Sequence, residues 1–167
     1  MANGASGTEY IEVMKFSQNG DIKWGGWIGF TAFFDSPRGL TLADDGGVVV
    51  LGNTRNEGPG SWSVLLWKVS SQGAEEWSTI FGGTKRDRGR RVIRVKPEGY
   101  LVCGNTKSFN SNEDIFLSKV GPTGAIEWSI ALGDGSANDY CQGIGQSPDG
   151  QWLYFGGCSQ GLNTPNN

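Results

Sequence analysis

Short apolar runs separated by glycine-rich polar turns recur along the whole chain. Glu9 to Phe16 alternates, with Tyr10, Glu12, Met14 and Phe16 on one face and Ile11, Val13 and Lys15 on the other. Strict period two over so short a run predicts a strand. Gln18-Asn19-Gly20-Asp21 predicts a hairpin turn, because Asn-Gly readily supplies positive φ angles. Ile22 to Ile28 is the returning strand. Gly29 to Pro37 is a loop carrying Phe30, Phe33 and Phe34. Gly39 to Ala43 is a short strand, and Asp44-Asp45-Gly46-Gly47 is a turn. Val48 to Leu51 is apolar without interruption, which predicts a strand buried on both faces. Gly52 to Gly60 is a polar loop.

The same order then recurs. Val64–Val69, Glu75–Phe81, Arg91–Val95 and Tyr100–Cys103 are the next predicted strands. Ile115–Val120, Ile126–Leu132, Gly143–Gln146 and Trp152–Phe155 follow. No window has a period near 3.6, so helix should be scarce.

Equivalent positions can be aligned across three repeats, at about 9–60, 61–112 and 113–160. Lys15, Lys68 and Lys119 correspond, as do Gly20, Gly73 and Gly124. Trp24, Trp77 and Trp128 correspond, as do Asp35, Asp87 and Asp139, and the set closes with Gly52, Gly104 and Gly156. The spacing is 51 to 53 residues throughout. Residues 1–8 and 161–167 read as flexible ends. A period near fifty with four short strands per unit predicts an all-β fold of propeller blades, each with four antiparallel strands.

One pattern carries a resemblance. It runs Asp-x-Phe-Leu-x-Lys-Val, then a turn glycine and Trp-Ser, then Gly-Gly-x-x-x-Asp, then Gly-Tyr-Leu-Val-x-Gly-Asn-Thr. It resembles bacterial-type β-propeller repeats, distantly similar to NHL and WD-repeat blades, over about residues 9 to 160. The resemblance implies an extracellular or surface-associated setting and brings no shared catalytic residues. By similarity to NHL blades, Gly39–Ala43 and Val48–Leu51 would be an inner strand pair. Val64–Val69 and Glu75–Phe81 would be an outer pair. On that phase the chain begins with an orphan outer pair, Tyr10 to Ile28. It ends with an orphan inner pair, Gly143 to Phe155, and two whole blades lie between. Unpaired edges are usually avoided. One expectation is that two copies complete each other as a six-bladed ring. The alternatives are a segment of a longer propeller, or one packed beside other chains, and a three-repeat monomer.

Composition narrows the chemistry. The 167 residues include 28 glycines and 7 tryptophans but no histidine. Without histidine there is no Ser-His-Asp or Cys-His catalysis, and the commonest metal ligand is missing. The net charge of −3 argues against a dedicated nucleic-acid binder. Cys103, Cys141 and Cys158 show no C-x-x-C spacing and are expected as three buried thiols, with one disulfide left open. No apolar run reaches the roughly 18 residues of a membrane span. The start lacks the basic and apolar regions of a signal peptide.

The candidate residues fall into three sets. The basic segment Lys85, Arg86, Arg88, Arg90 and Arg91, continuing to Arg94 and Lys96, belongs to the middle repeat and could hold an anion or an acidic partner. Trp24, Trp77 and Trp128 read as packing between blades or as platforms for a sugar. Asp35, Asp87 and Asp139 read as acceptors tying a loop to backbone N–H groups. Asp134-Gly-Ser-Ala-Asn-Asp139 has a calcium-loop composition without the ligand spacing. The expected function is a non-catalytic interaction or assembly module that binds protein chains through strand edges and loops. The alternative is a carbohydrate-binding propeller. No metal or cofactor is expected.

Overall fold

The computed structural model describes residues 10–28, 35–55 and 57–160. The Phe30, Phe33 and Phe34 loop and the ends 1–8 and 161–167 lie outside the described residues. The described residues form twelve strands, all antiparallel, and no helix occurs among them. The first sheet is a hairpin of β1 (Ile11–Phe16) and β2 (Ile22–Ile28). The second holds β3 (Asp35–Leu42), β4 (Val48–Thr54), β5 (Ser63–Val69) and β6 (Glu75–Phe81) in that order. The third repeats it with β7 (Asp87–Arg94), β8 (Tyr100–Thr106), β9 (Asp114–Val120) and β10 (Ile126–Leu132). The last is a hairpin of β11 (Asp139–Gln146) and β12 (Leu153–Ser159). Ser61–Asn112 therefore contributes the second half of one sheet and the first half of the next.

Sheet stacking explains the burial pattern. β7 lies beside β3 on one side and β11 on the other. The middle strands β4, β5, β8 and β9 are covered on both faces. Val49, Leu51, Val64 and Leu66 meet Val102, Phe116 and Val120 in one core, while Ile11 and Val13 of β1 close a second over Leu65 and Trp67. Burying each such side chain contributes roughly 1.5–3 kcal/mol.

Two turn classes recur. Gly20, Gly73 and Gly124 have φ of 89°, 90° and 86°, and Gly46, Gly99 and Gly150 have 81°, 88° and 78°. Side-chain-bearing residues rarely adopt that region, so each hairpin depends on its glycine.

Strands β3, β7 and β11 are longer than the sequence suggests. Each carries a β-bulge that leaves Arg38, Arg90 or Gln142 out of the pairing, so the ladder resumes beyond it. A second correction concerns register. Gly52 pairs with Pro37, Gly104 with Gly89 and Gly157 with Cys141. Gly157, not Gly156, is therefore the third member of that set. The final turn is one residue longer: Ser147 donates to Trp152 O, where Val95 donates to Gly99 O.

A third correction concerns the cysteines. Cys103 and Cys141 form a disulfide, with Cα atoms 6.3 Å apart, and only Cys158 is free and exposed. The packing of β11 against β8 brings together two residues 38 positions apart in sequence.

The recurring lysine is a tie between strands and turns. Lys68, whose side chain is only 3% exposed, donates to Asp45 Oδ2 and Glu76 Oε2, both at 2.7 Å. Lys119 reaches Glu98 O at 2.8 Å and Lys15 reaches Ser71 O at 3.0 Å. Burial alone would lower the Lys68 pKa, but its two carboxylate partners outweigh that and raise it above 10.5. The Lys68 hydrogen bond, helped by the Gly47 N–H, holds the Asp45 carboxyl below 3.8. A carboxyl lowered on folding stabilises the fold above its ordinary pKa, and that contribution is lost as pH falls. Stability should therefore fall from about pH 3.8 downward as Asp45 takes up a proton. Urea midpoints measured from pH 6 to pH 2 should show a shallower acid loss in Asp45→Asn. The difference should stay near 1 kcal/mol or less, because the Asp45 carboxylate is half exposed. Identical acid limbs for the two proteins refute the assignment.

Candidate functional site

The basic segment folds into the seam between the two four-stranded sheets, and its members separate there. Arg88 rises from β7 and stacks over Trp62, with its guanidinium carbon 4.6 Å from the ring centroid. Arg55, just past β4, approaches the same ring at 6.0 Å. Arg90 is the bulge residue, and its Nε donates to Asn105 Oδ1 at 3.0 Å. Arg86 is paired with Glu113. Lys85 and Arg91 are exposed. Lys85 contributes a backbone N–H to Ser108 Oγ, and Arg91 donates to the Arg90 carbonyl. Arg94 pairs with Asp44 outside the cluster.

A cation from the first repeat joins those of the middle one. Arg38 occupies the β3 bulge, the same position as Arg90 in β7. β3 and β7 are neighbours, so Arg38 joins the cations around Arg88. Burial first, and then the charges of Arg86, Arg38 and Arg90, lower the affinity of the Arg88 guanidinium for its proton. The buried Nε of Arg88 has no hydrogen-bond partner among the described residues. The repeat period does place Arg38 opposite Arg90, but a search for runs of basic residues passes over it. Trp62 and Arg55 are set by the packing of one sheet on the next, which no local pattern reports.

Asp87 is the loop acceptor expected of it. Its Oδ2 accepts from the Gly83 N–H and from Ser108 Oγ, each at 2.8 Å. Asp139 differs. It is 1% exposed, and neither of its carboxylate oxygens has a hydrogen-bond partner among the described residues. Asp114, also buried, stands where the second repeat has Ser63 and shares with Asp139 the space beside Gly133. Asp134 is turned to local use, its carboxyl held below the ordinary range by Ser136. Among the described residues no three acidic or cysteine side chains converge as a metal cluster.

The three tryptophans do not share one environment. Trp24 donates from Nε1 to Ser71 O at 3.0 Å and lies against Gly73. Trp77 donates to Pro122 O at 2.9 Å, lies against Gly124 and meets the Tyr100 ring at 6.1 Å. Each therefore clamps the hairpin turn of the following repeat. Trp128 has no following turn within the described residues and is 37% exposed.

An open cleft of about 220 Å³ lies between Val64, Phe81, Phe116 and Ile130, with Asp87 and Phe109 also on its lining. No protein family and no curated protein matches this chain.

Proposed function

We propose that the chain is a non-catalytic β-propeller assembly module that joins other protein chains through its terminal half-sheets. In its simplest assembly two copies close a six-bladed ring. The observation that carries this reading is a pair of complementary open edges. Within each four-stranded sheet the second strand pairs with the third, as β4 with β5 and β8 with β9. β12 corresponds to β4 and β8, and β1 corresponds to β5 and β9. Yet among the described residues β12 pairs only with β11, and β1 only with β2. Carrying over the register of the complete sheets sets Leu153 opposite Phe16 of a second copy, Phe155 opposite Met14 and Cys158 opposite Ile11.

The surface supports the same reading. Val49, Val50 and Tyr100–Val102 are buried and Val48 is partly buried, whereas their counterparts Leu153, Tyr154 and Phe155 are exposed. Met14, Phe16, Ile22 and Trp27 are exposed on the opposite half-sheet. Apolar strand edges left open are sites of strand addition. The buried disulfide fits the extracellular setting that the repeat resemblance implies, since such bonds persist in oxidising surroundings. The glycan reading keeps only Trp128 as an open platform.

Light scattering of the purified protein should give twice the 17.9 kDa chain mass. A Met14→Asp, Phe155→Asp double variant should run as a folded monomer. A monodisperse wild-type monomer at tens of micromolar sinks the two-copy ring.

A further inference from the structure

We propose that Arg88, Arg38 and Trp62 form a binding site for a tetrahedral oxyanion, a phosphate or sulfate group. The contact with Trp62 holds the Arg88 guanidinium over the ring but satisfies none of its N–H donors. Its Nε is buried and without a hydrogen-bond partner among the described residues. A buried cationic donor is costly unless an acceptor meets it. The neighbours do not supply one. Glu113 is engaged with Arg86, and the Asn105 amide oxygen accepts from Arg90. Neither Arg38 nor Arg88 makes an ion pair among the described residues.

The cations come from two sheets. Arg38 stands on the β3 bulge, Arg90 on the β7 bulge and Arg88 two residues before Arg90, with Arg55 6.0 Å from the Trp62 ring centroid. Bulges turn a side chain out of the ladder and occur beside binding sites. Donors arriving from several directions suit an anion with acceptors on every side. A planar carboxylate would engage one guanidinium fork and leave the others unused. The site lies wholly within one chain, so it stands whether or not two copies associate.

The test is a titration of the purified protein with inorganic phosphate, sulfate and acetate at low ionic strength, read by indole fluorescence and calorimetry. Phosphate or sulfate should saturate a fluorescence change that disappears in Trp62→Phe. One charged hydrogen bond is worth enough that Arg88→Gln should weaken binding about ten-fold. Arg38→Gln should weaken it several-fold. Lys85→Gln and Arg91→Gln, outside the cluster, should leave it within about two-fold. Tighter binding of phosphate than of sulfate would mark a phosphate site, and the reverse a sulfate site. The proposal is overturned by absence of saturable binding at millimolar anion, or by acetate binding as tightly as phosphate and sulfate. Equal losses in the Lys85, Arg91 and Arg88 variants, meaning a diffuse charged surface, also overturn it. If Arg88→Gln does not fold, the exposed Arg38 and the conservative Trp62→Phe change carry the test.

Discussion

Replacing Cys103 and Cys141 together with alanine, or reducing the bond between them, should lower the unfolding free energy by about 4 kcal/mol. The bond closes a 38-residue separation, and the entropy removed from the unfolded chain grows with that length. Its position makes the loss local as well as global. Cys103 is in β8 of a complete sheet, and Cys141 is in β11 of the terminal half-sheet. Both are buried with Ile115 and Leu117. β12 is exposed along its length, so the half-sheet is held mainly through β11. Amide exchange in β11 and β12 should therefore rise before the rest of the fold opens. Guanidinium unfolding with and without reductant measures the main effect. The denatured, unreduced protein should titrate as one thiol, and Cys158→Ser should abolish that thiol at little cost in stability. An unfolding midpoint indifferent to reductant contradicts the prediction.

The all-β architecture was legible because its causes are local. Turn glycines at positive φ, such as Gly73 and Gly99, recur with the strand pattern. The unbroken apolar run at Val48 announces a strand covered on both sides. The phase that divides Ser61–Asn112 between two sheets follows from the same periodicity. What escaped notice depends on contacts between strands or sheets. The sequence pattern starts β3, β7 and β11 only at Gly39, Arg91 and Gly143, because a bulge looks like a break when only one strand is in view. One extra residue before Trp152 displaced the alignment from Gly157 to Gly156. The Cys103–Cys141 bond depends on β8 meeting β11. The Arg88 cluster depends on two bulges standing side by side, with Trp62 delivered from the entry to β5. A lysine and a tryptophan in every repeat were visible, but their partners lie in turns that sequence spacing does not connect.

The recurring tryptophan gives the second large effect. Trp77→Ala should destabilise the fold by about 3 kcal/mol, at the lower end of values for aromatic truncation because the indole is only partly buried. The loss has three physical parts. The ring leaves Tyr100, vacates the surface of Gly124 and frees the Pro122 carbonyl from its 2.9 Å bond. Trp77→Phe should recover the packing but not the hydrogen bond, and so fall between the two. Trp24→Ala should resemble Trp77→Ala, since it removes the same clamp from the Ser71–Gly73 turn. Trp128→Ala separates the two ideas about this surface. In a lone chain it removes an indole with no following turn to hold, and the cost should stay within about 0.5 kcal/mol. In a closed two-copy ring the same indole would sit on the Gly20 turn of the second copy, where no described residue now lies against that glycine. The cost should then approach that of Trp77→Ala and appear as a melting temperature that falls on dilution. Thermal melts of the three variants across a hundred-fold concentration range therefore read the clamp and the assembly in one experiment. A Trp77→Ala protein as stable as wild type would remove the clamp, whatever the chain's oligomeric state.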